Sequence, residues 1–220
     1  MVKGFFQFIL FGIVFIAIII YQFFFSKKAV VKRSLKKFPV TRIGNFKEGE
    51  RGRITGTIIY AGKILEAPLS GRECCHYYVH IEESSGGKSN SWNTLVEEEI
   101  TGTVVLQDGN HYALMKHANL KSYIVQDRDY SSGTFNDATP QLEAYLNDRG
   151  HESVGVLGFN KSIRYKEGIL EQGERVTVAG LGEWKQAEDV GLPAEYGTVL
   201  VMRSGTDTIY MSDARDIVNG

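Results

Sequence analysis

Residues 5 to 25, FFQFILFGIVFIAIIIYQFFF, run for 21 positions without a charge. A helix rises about 1.5 Å per residue, so a stretch of this length matches the ~30 Å hydrocarbon core of a bilayer. A cleaved signal peptide would have a shorter apolar region ending in a small-residue site, whereas here Phe25 is followed by Ser26-Lys27-Lys28. The expectation is one uncleaved transmembrane helix within residues 1 to 26.

What flanks the run sets its orientation. Lys27, Lys28, Lys32, Arg33, Lys36 and Lys37 follow it, against Lys3 and the terminal amine before it. Basic residues concentrate on the cytosolic side of a span, so the C-terminal bulk is expected in the cytosol of a single-pass protein whose N-terminus lies outside. Residues 27 to 49 then form a basic juxtamembrane linker, drawn to anionic membrane lipid at about 1 kcal/mol per basic residue near the surface. Within it Val31, Leu35 and Phe38 recur at helical spacing, which fits a short amphipathic turn on the bilayer; a stop-transfer charge cluster alone is the other reading.

Seven of the 25 lysines and arginines precede residue 40 and none of the 26 acids does, leaving 18 basic against 26 acidic groups and a net charge of −8 beyond it. A domain of that sign repels phosphate backbones, so nucleic acid is not an expected partner. The only two cysteines, Cys74 and Cys75, are adjacent and cannot form a disulfide framework, in keeping with a reducing compartment.

Residues 50 to 218 read as one β-rich domain. Residues 53 to 60 are rich in β-branched side chains and closed by Gly62. A second strand follows residue 73; alternation puts Cys75, Tyr77, Val79 and Ile81 on a core face, and Cys74, His76, Tyr78, His80 and Glu82 on a polar, reachable one. Asp108-Gly109 between residues 103–107 and 110–115 signals a hairpin with a two-residue type I′ turn. Thr139 and Pro140 open a helix to Arg149, with Leu142, Tyr145 and Leu146 on one face and Gly150 at its end. Residues 173 to 184 form a long strand bent at its glycines, and 199–202 with 208–211 pair around Ser204-Gly205. Strands outnumber helices, so the expected fold is mainly β (α+β): a curled antiparallel sheet or small β-barrel with one or two short packing helices.

Chemistry is sparse. Cys74, His76 and His80 share a face suited to zinc, but a structural site wants four ligands and no second cluster is present, so no metal is expected. A nucleophilic Cys74 or Cys75 needs a base in reach, and strand neighbours seldom point at one atom. Ser70 lies in no G-x-S-x-G elbow, and no glycine-rich phosphate loop is present, so neither a catalytic residue nor a small-molecule cofactor is assigned. Residues 160 to 165, beside Glu167, read as a binding rim or as a solvated loop.

The turn Ala67-Pro68-Leu69-Ser70-Gly71-Arg72, the step Cys74-x-x-Tyr77, Trp92 before an acidic run, Tyr165-x-Glu167-Gly168-Ile169-Leu170, the strand 176–180 and the terminal Ile209-Tyr210-Met211-Ser212 together resemble the GIDE domain family. This family is also called BAM, for "beside a membrane", and is known from mitochondrial membrane-anchored ubiquitin ligases and from bacterial and archaeal relatives. Those ligases add a second span and a C-terminal RING rich in zinc-binding cysteines and histidines, which the present residues do not supply. The resemblance implies a module that recruits a protein or peptide partner near its membrane. Two alternatives stand beside it: a component of ubiquitin transfer whose RING a partner provides, and a thiol-dependent enzyme. Pro68, Ser70, Gly71, Arg72, Cys74 and Tyr77 are the binding candidates. Pro68 and Gly71 shape the turn, and Arg72 serves either an acidic ligand group or an internal salt bridge.

Overall fold

A computed structural model describes residues 12–15, 21, 24–85, 91–116, 118–132, 139–151 and 162–219. Most of the apolar run at 5–25 lies outside the described residues, and among these no helix is long and apolar enough to cross a membrane.

Strand β1 (Arg51–Ile59) is the seam of the fold because both of its edges are used. Numbered along the chain, β2 (Leu65–Glu66), β3 (Glu73–Cys74), β4 (His76–Ser84) and β5 (Trp92–Thr101) follow it, then β6 (Val104–Asp108), β7 (His111–Met115), β8 (Leu120–Tyr123) and β9 (Arg128–Ser132). The remaining strands are β10 (Ile163–Leu170), β11 (Arg175–Gln186), β12 (Thr198–Arg203) and β13 (Ile209–Ser212). One edge of β1 pairs with β6 and the other with β11, both antiparallel. The β6–β7 hairpin joins β12 in parallel, and β12 returns antiparallel to β11, closing a barrel of five strands. Alternate residues point inward: Ile54 and Ile58 of β1, Val104 and Leu106 of β6, Ala113 and Met115 of β7, Val176 and Val178 of β11, Leu200 and Met202 of β12. The expected small barrel is therefore present, and its strand order is that of a Greek-key OB-type barrel.

The hairpin turn differs from expectation by one residue. Asp108 pairs with His111, so the loop is Gly109-Asn110, and only Gly109 takes positive φ (+63°), as the first central position of a type II′ turn requires. Strands β12 and β13 do not pair with each other. They lie end to end along one edge of β11, β12 beside 181–186 and β13 beside 177–179, with β1 on the opposite edge. The segment between them loops out instead of reversing, and Arg51 clamps it by donating to Ser204 O and Thr208 O, each at 2.8 Å. The ring of Phe46 fills the barrel beside Gly182, where an added Cβ would stand 2.3 Å from it; the long strand can pass the ring only as glycine there.

On the outer side of β6, β7 and β12, Val105, Leu114, Val199 and Val201 are buried beneath Ala187, Val190, Leu192 and Tyr196 of the segment between β11 and β12.

Two insertions into the barrel, one between β1 and β6 and one between β7 and β11, combine into a second antiparallel sheet ordered β5-β4-β10-β9. The expected helix, Pro140–Asn147, covers one face of it. Thr139 Oγ1 accepts from Leu142 N at 3.2 Å, Pro140 occupies the first turn, and Gly150 (φ +75°) ends it. Leu142, Tyr145 and Leu146 bury against Val79, Ile81, Val96, Ile163 and Tyr165.

The basic stem is folded. Ser26, with ψ 149°, turns the chain after helical Phe24 and Phe25 and caps the helix Lys27–Leu35, here α1; Pro140–Asn147 is α2, and the short Arg215–Val218 is α3. The apolar side proposed for the bilayer packs inward instead: Val31 and Leu35 are buried against Ala179, Ala214 and Ile217, with Phe38, Tyr123 and Tyr210 beside them. The sheet offers these side chains complementary apolar atoms at once, while their spacing is the same for either environment.

Candidate functional site

The quoted turn becomes the hairpin of β2 and β3. Ala67 N donates to Arg72 O and Gly71 N to Ala67 O, both at 2.9 Å, with Gly71 at φ +68°. Leu69 points into the core beneath α2, and its N–H donates to Oε1 of buried Glu167 at 2.9 Å. Pro68 and Ser70 are half-buried at the tip. Arg72 reaches Asp127 Oδ2 through Nη2 and Glu171 Oε1 through Nε, each at 3.2 Å. Of its two expected roles, the internal ion pair is the one observed.

Tyr77 packs toward α2, and its hydroxyl donates to Glu98 Oε1 at 2.7 Å; Arg149 holds the same carboxylate at 2.6 Å. Burial and that carboxylate push the Tyr77 phenol far above its ordinary value. Arg72, Cys74 and, through Glu98, Tyr77 thus help tie the two inserted segments together, while Pro68, Ser70 and Gly71 form the tip of the turn.

Cys74 and His76 correct the expected reachable face, since both are fully buried at 0% exposure. The chain bends at Cys75 between β3 and β4, where the two sheets meet, so parity along a single strand does not carry across. Cys75 enters the barrel core and Cys74 packs with Ala67 and Ile169. Desolvation pushes the Cys74 thiol up to about 11 and that of Cys75 up to about 12, so neither is a thiolate near neutral pH. His76 Nδ1 lies 2.8 Å from Thr101 Oγ1 and its Nε2 3.6 Å from Glu99 Oε1, whereas His80 Nε2 meets Thr94 Oγ1 at 3.1 Å. Cys74, His76 and His80 therefore do not converge, and among the described residues no three His, Cys, Asp or Glu side chains could hold a metal ion.

Farther along β4 the reachable face is real. Tyr78, His80 and Glu82 are half-buried on the side of the sheet away from α2, where the stem helix reaches only Tyr78. Arg164 Nε binds Glu82 at 2.6 Å while its guanidinium lies over Trp92, 4.2 Å from the ring centroid. Tyr78 donates to Glu97 at 3.0 Å, and Lys27 of α1 stands 4.5 Å over the Tyr78 ring while binding Glu99 at 2.9 Å. The stem thus touches one end of this open face. The segment weighed as a rim is strand from Ile163 on; residues 160 and 161 lie outside the described residues.

Two cavities adjoin these elements. One, of about 710 Å³, has Lys28, Asp127, Glu174, Arg175, Asp213 and Arg215 in its wall. Burial pushes the Asp213 carboxyl up to about 6 and also raises that of Glu174. The other, about 380 Å³, lies between β5 and β8 and is lined by Glu99, Ile100, Thr101 and Leu120.

Two features escaped the sequence reading. The Lys27–Glu99 link joins residues 72 positions apart and leaves no local trace. Glu167 did leave one: it shares the alternation of Ile163, Tyr165 and Ile169, and a carboxylate at a core position must find a donor. Comparison with protein-family models found no match, and comparison with curated proteins found none either.

Proposed function

We propose that the chain is a non-enzymatic recognition module, anchored by residues 5 to 25 with its β-rich part in the cytosol, that holds a polypeptide partner against the four-stranded sheet beside the bilayer. The observation that carries this reading is the sheet's asymmetry. Helix α2 buries one face, and the other bears half-buried Tyr78, His80, Trp92 and Arg164, reached among the described helices only by Lys27 of α1 at Tyr78. Aromatic and arginine side chains supply most anchor contacts at protein interfaces. Lys27 on the Tyr78 ring keeps this face close to the end of the apolar run. The GIDE-like motif then serves by position: the Pro68–Arg72 turn and its ties to Glu167, Asp127 and Glu171 hold the two inserted segments together.

The rival classes lack what they need. A thiol enzyme would need a thiolate, and both thiols are buried and protonated. An OB-type barrel that grips nucleic acid uses the face of its second and third strands, and here that face lies under residues 187–196 on a domain of net charge −8. A role in ubiquitin transfer would need a RING from a partner, a module these two buried cysteines do not build.

The test is photo-crosslinking in intact cells from position 78, compared with exposed position 188 on the barrel's far segment. The expected result is a partner captured at 78, absent at 188 and lost in Trp92→Ala. Identical profiles from both positions overturn the reading, as would ubiquitin-transfer product formed by this chain and a charged conjugating enzyme alone.

A further inference from the structure

We infer that the cleft between β5 and β8 accepts an extended polypeptide segment with a basic residue next to an apolar one, added to β5 as a further strand and exchanging with Lys27 of the stem helix. The inference rests on the recognition reading and names the partner's chemistry at the sheet's edge.

Strand β5 is ten residues long and among the described residues pairs only with β4. Strand β8 is likewise the last strand of its sheet. An unpaired edge presents a row of amides and carbonyls that an extended chain satisfies. Natural edges are blunted by charge, proline, bulges or coverage; here the bulge sits at Ile81/Glu82, leaving residues 97–101 regular, and the guard on them is the Glu97-Glu98-Glu99 charge, which a basic strand neutralises. Ser122 of β8 donates to Glu99 Oε1, a single side-chain link between the two edges that an entering strand would replace. Ile100, 39% exposed, and Leu120 supply the apolar lining.

Charge selects the occupant. A second copy adding its own β5 would set Glu97, Glu98 and Glu99 against the same run, and like charges on opposed strands are destabilising. A basic segment meets a carboxylate instead. Glu99 already binds one cation, Lys27, whose side chain is 45% exposed. Such a surface pair contributes little, so an incoming lysine or arginine can replace it. Successive residues of an added strand point to opposite faces, so the residue that reaches Glu99 has a neighbour directed at the side of Ile100. That alternation is why a basic and an apolar residue must be adjacent.

The test uses the full chain in detergent micelles and fluorescein-labelled heptapeptides read by anisotropy: Val-Lys-Val-Lys-Val-Lys-Val, its glutamate counterpart, and the lysine peptide N-methylated at alternate amides. The lysine peptide is expected to bind, with the glutamate and at least one N-methyl register weakened at least tenfold. Lys27→Ala should tighten binding about threefold to tenfold, and Ile100→Lys, at an exposed position that folding tolerates, should weaken it at least fivefold. Equal binding of all peptides overturns the inference, as does indifference to both Lys27→Ala and Ile100→Lys. If binding is instead lost in Trp92→Ala alone, the cleft is overturned while the open face stands as the recognition surface.

Discussion

Arg72, Glu167 and Asp213 show how a side chain's meaning depends on what faces it. Arg72 invited a ligand role and serves two internal carboxylates, while Glu167 is buried yet satisfied by the Leu69 amide. Asp213 accepts from Val125 N at 2.8 Å, but burial beside Asp127 pushes its carboxyl from 3.8 up to about 6, with Lys28, Arg175 and Arg215 in the same cavity wall. Between those values the folded protein holds a proton that the unfolded chain has released. Stability therefore falls as pH rises from about 4 to about 6, and the deficit persists above that window. Asp213→Asn keeps an acceptor for Val125 and removes the charge. It should gain about 1–2 kcal/mol at pH 7.5, after allowance for partial exposure, and almost nothing at pH 4, as read by urea denaturation at the two pH values. The sequence hinted at the core position of Glu167 and at an ion pair for Arg72, but the partners of all three are distant along the chain and were not legible in it.

Among the elements, α2 and the β6–β7 hairpin were readable because their signals are local. A Thr-Pro start and a glycine stop act within one turn, and a two-residue loop needs its glycine wherever the strands lie. The exact turn was less legible, since Asp108 pairs in the strand and its carboxylate binds Arg42 at 2.8 Å. Helix α1 was misjudged in its environment, not its periodicity. Its Lys27 and Lys32 pair with Glu99 and Asp216, and Lys28 lies over the Tyr123 ring, 5.3 Å from its centroid, so the stem is a docked part of the domain. Leu35→Ala should therefore cost about 2–4 kcal/mol in global stability by urea denaturation of the full chain in detergent, as for a buried leucine. A stem that merely lay on lipid would lose nothing in that measurement.

Across the whole molecule, the barrel and the second sheet are joined because β4 and β10, which pair along their length, come from separate insertions into the barrel. Cys74 and Cys75 sit at that junction, in two different apolar clusters. Both should resist a thiol reagent in the native protein and become reactive together, in one denaturant transition coincident with loss of β structure; labelling of either thiol well before that transition would show that the sheets separate first. By itself the sequence determined the apolar run, the acidic β-rich chain behind it, the helix near Pro140 and the shape of the Pro68–Gly71 turn, because periodicity, charge and backbone freedom act over a few residues. Tertiary structure alone decided that the barrel closes, that the stem docks, that Cys74 and His76 are buried while Tyr78 and His80 reach the surface, and that β5 is left as an edge. Those outcomes depend on which distant strands pair, and strand pairing is set by the summed burial of both sheets rather than by any local signal.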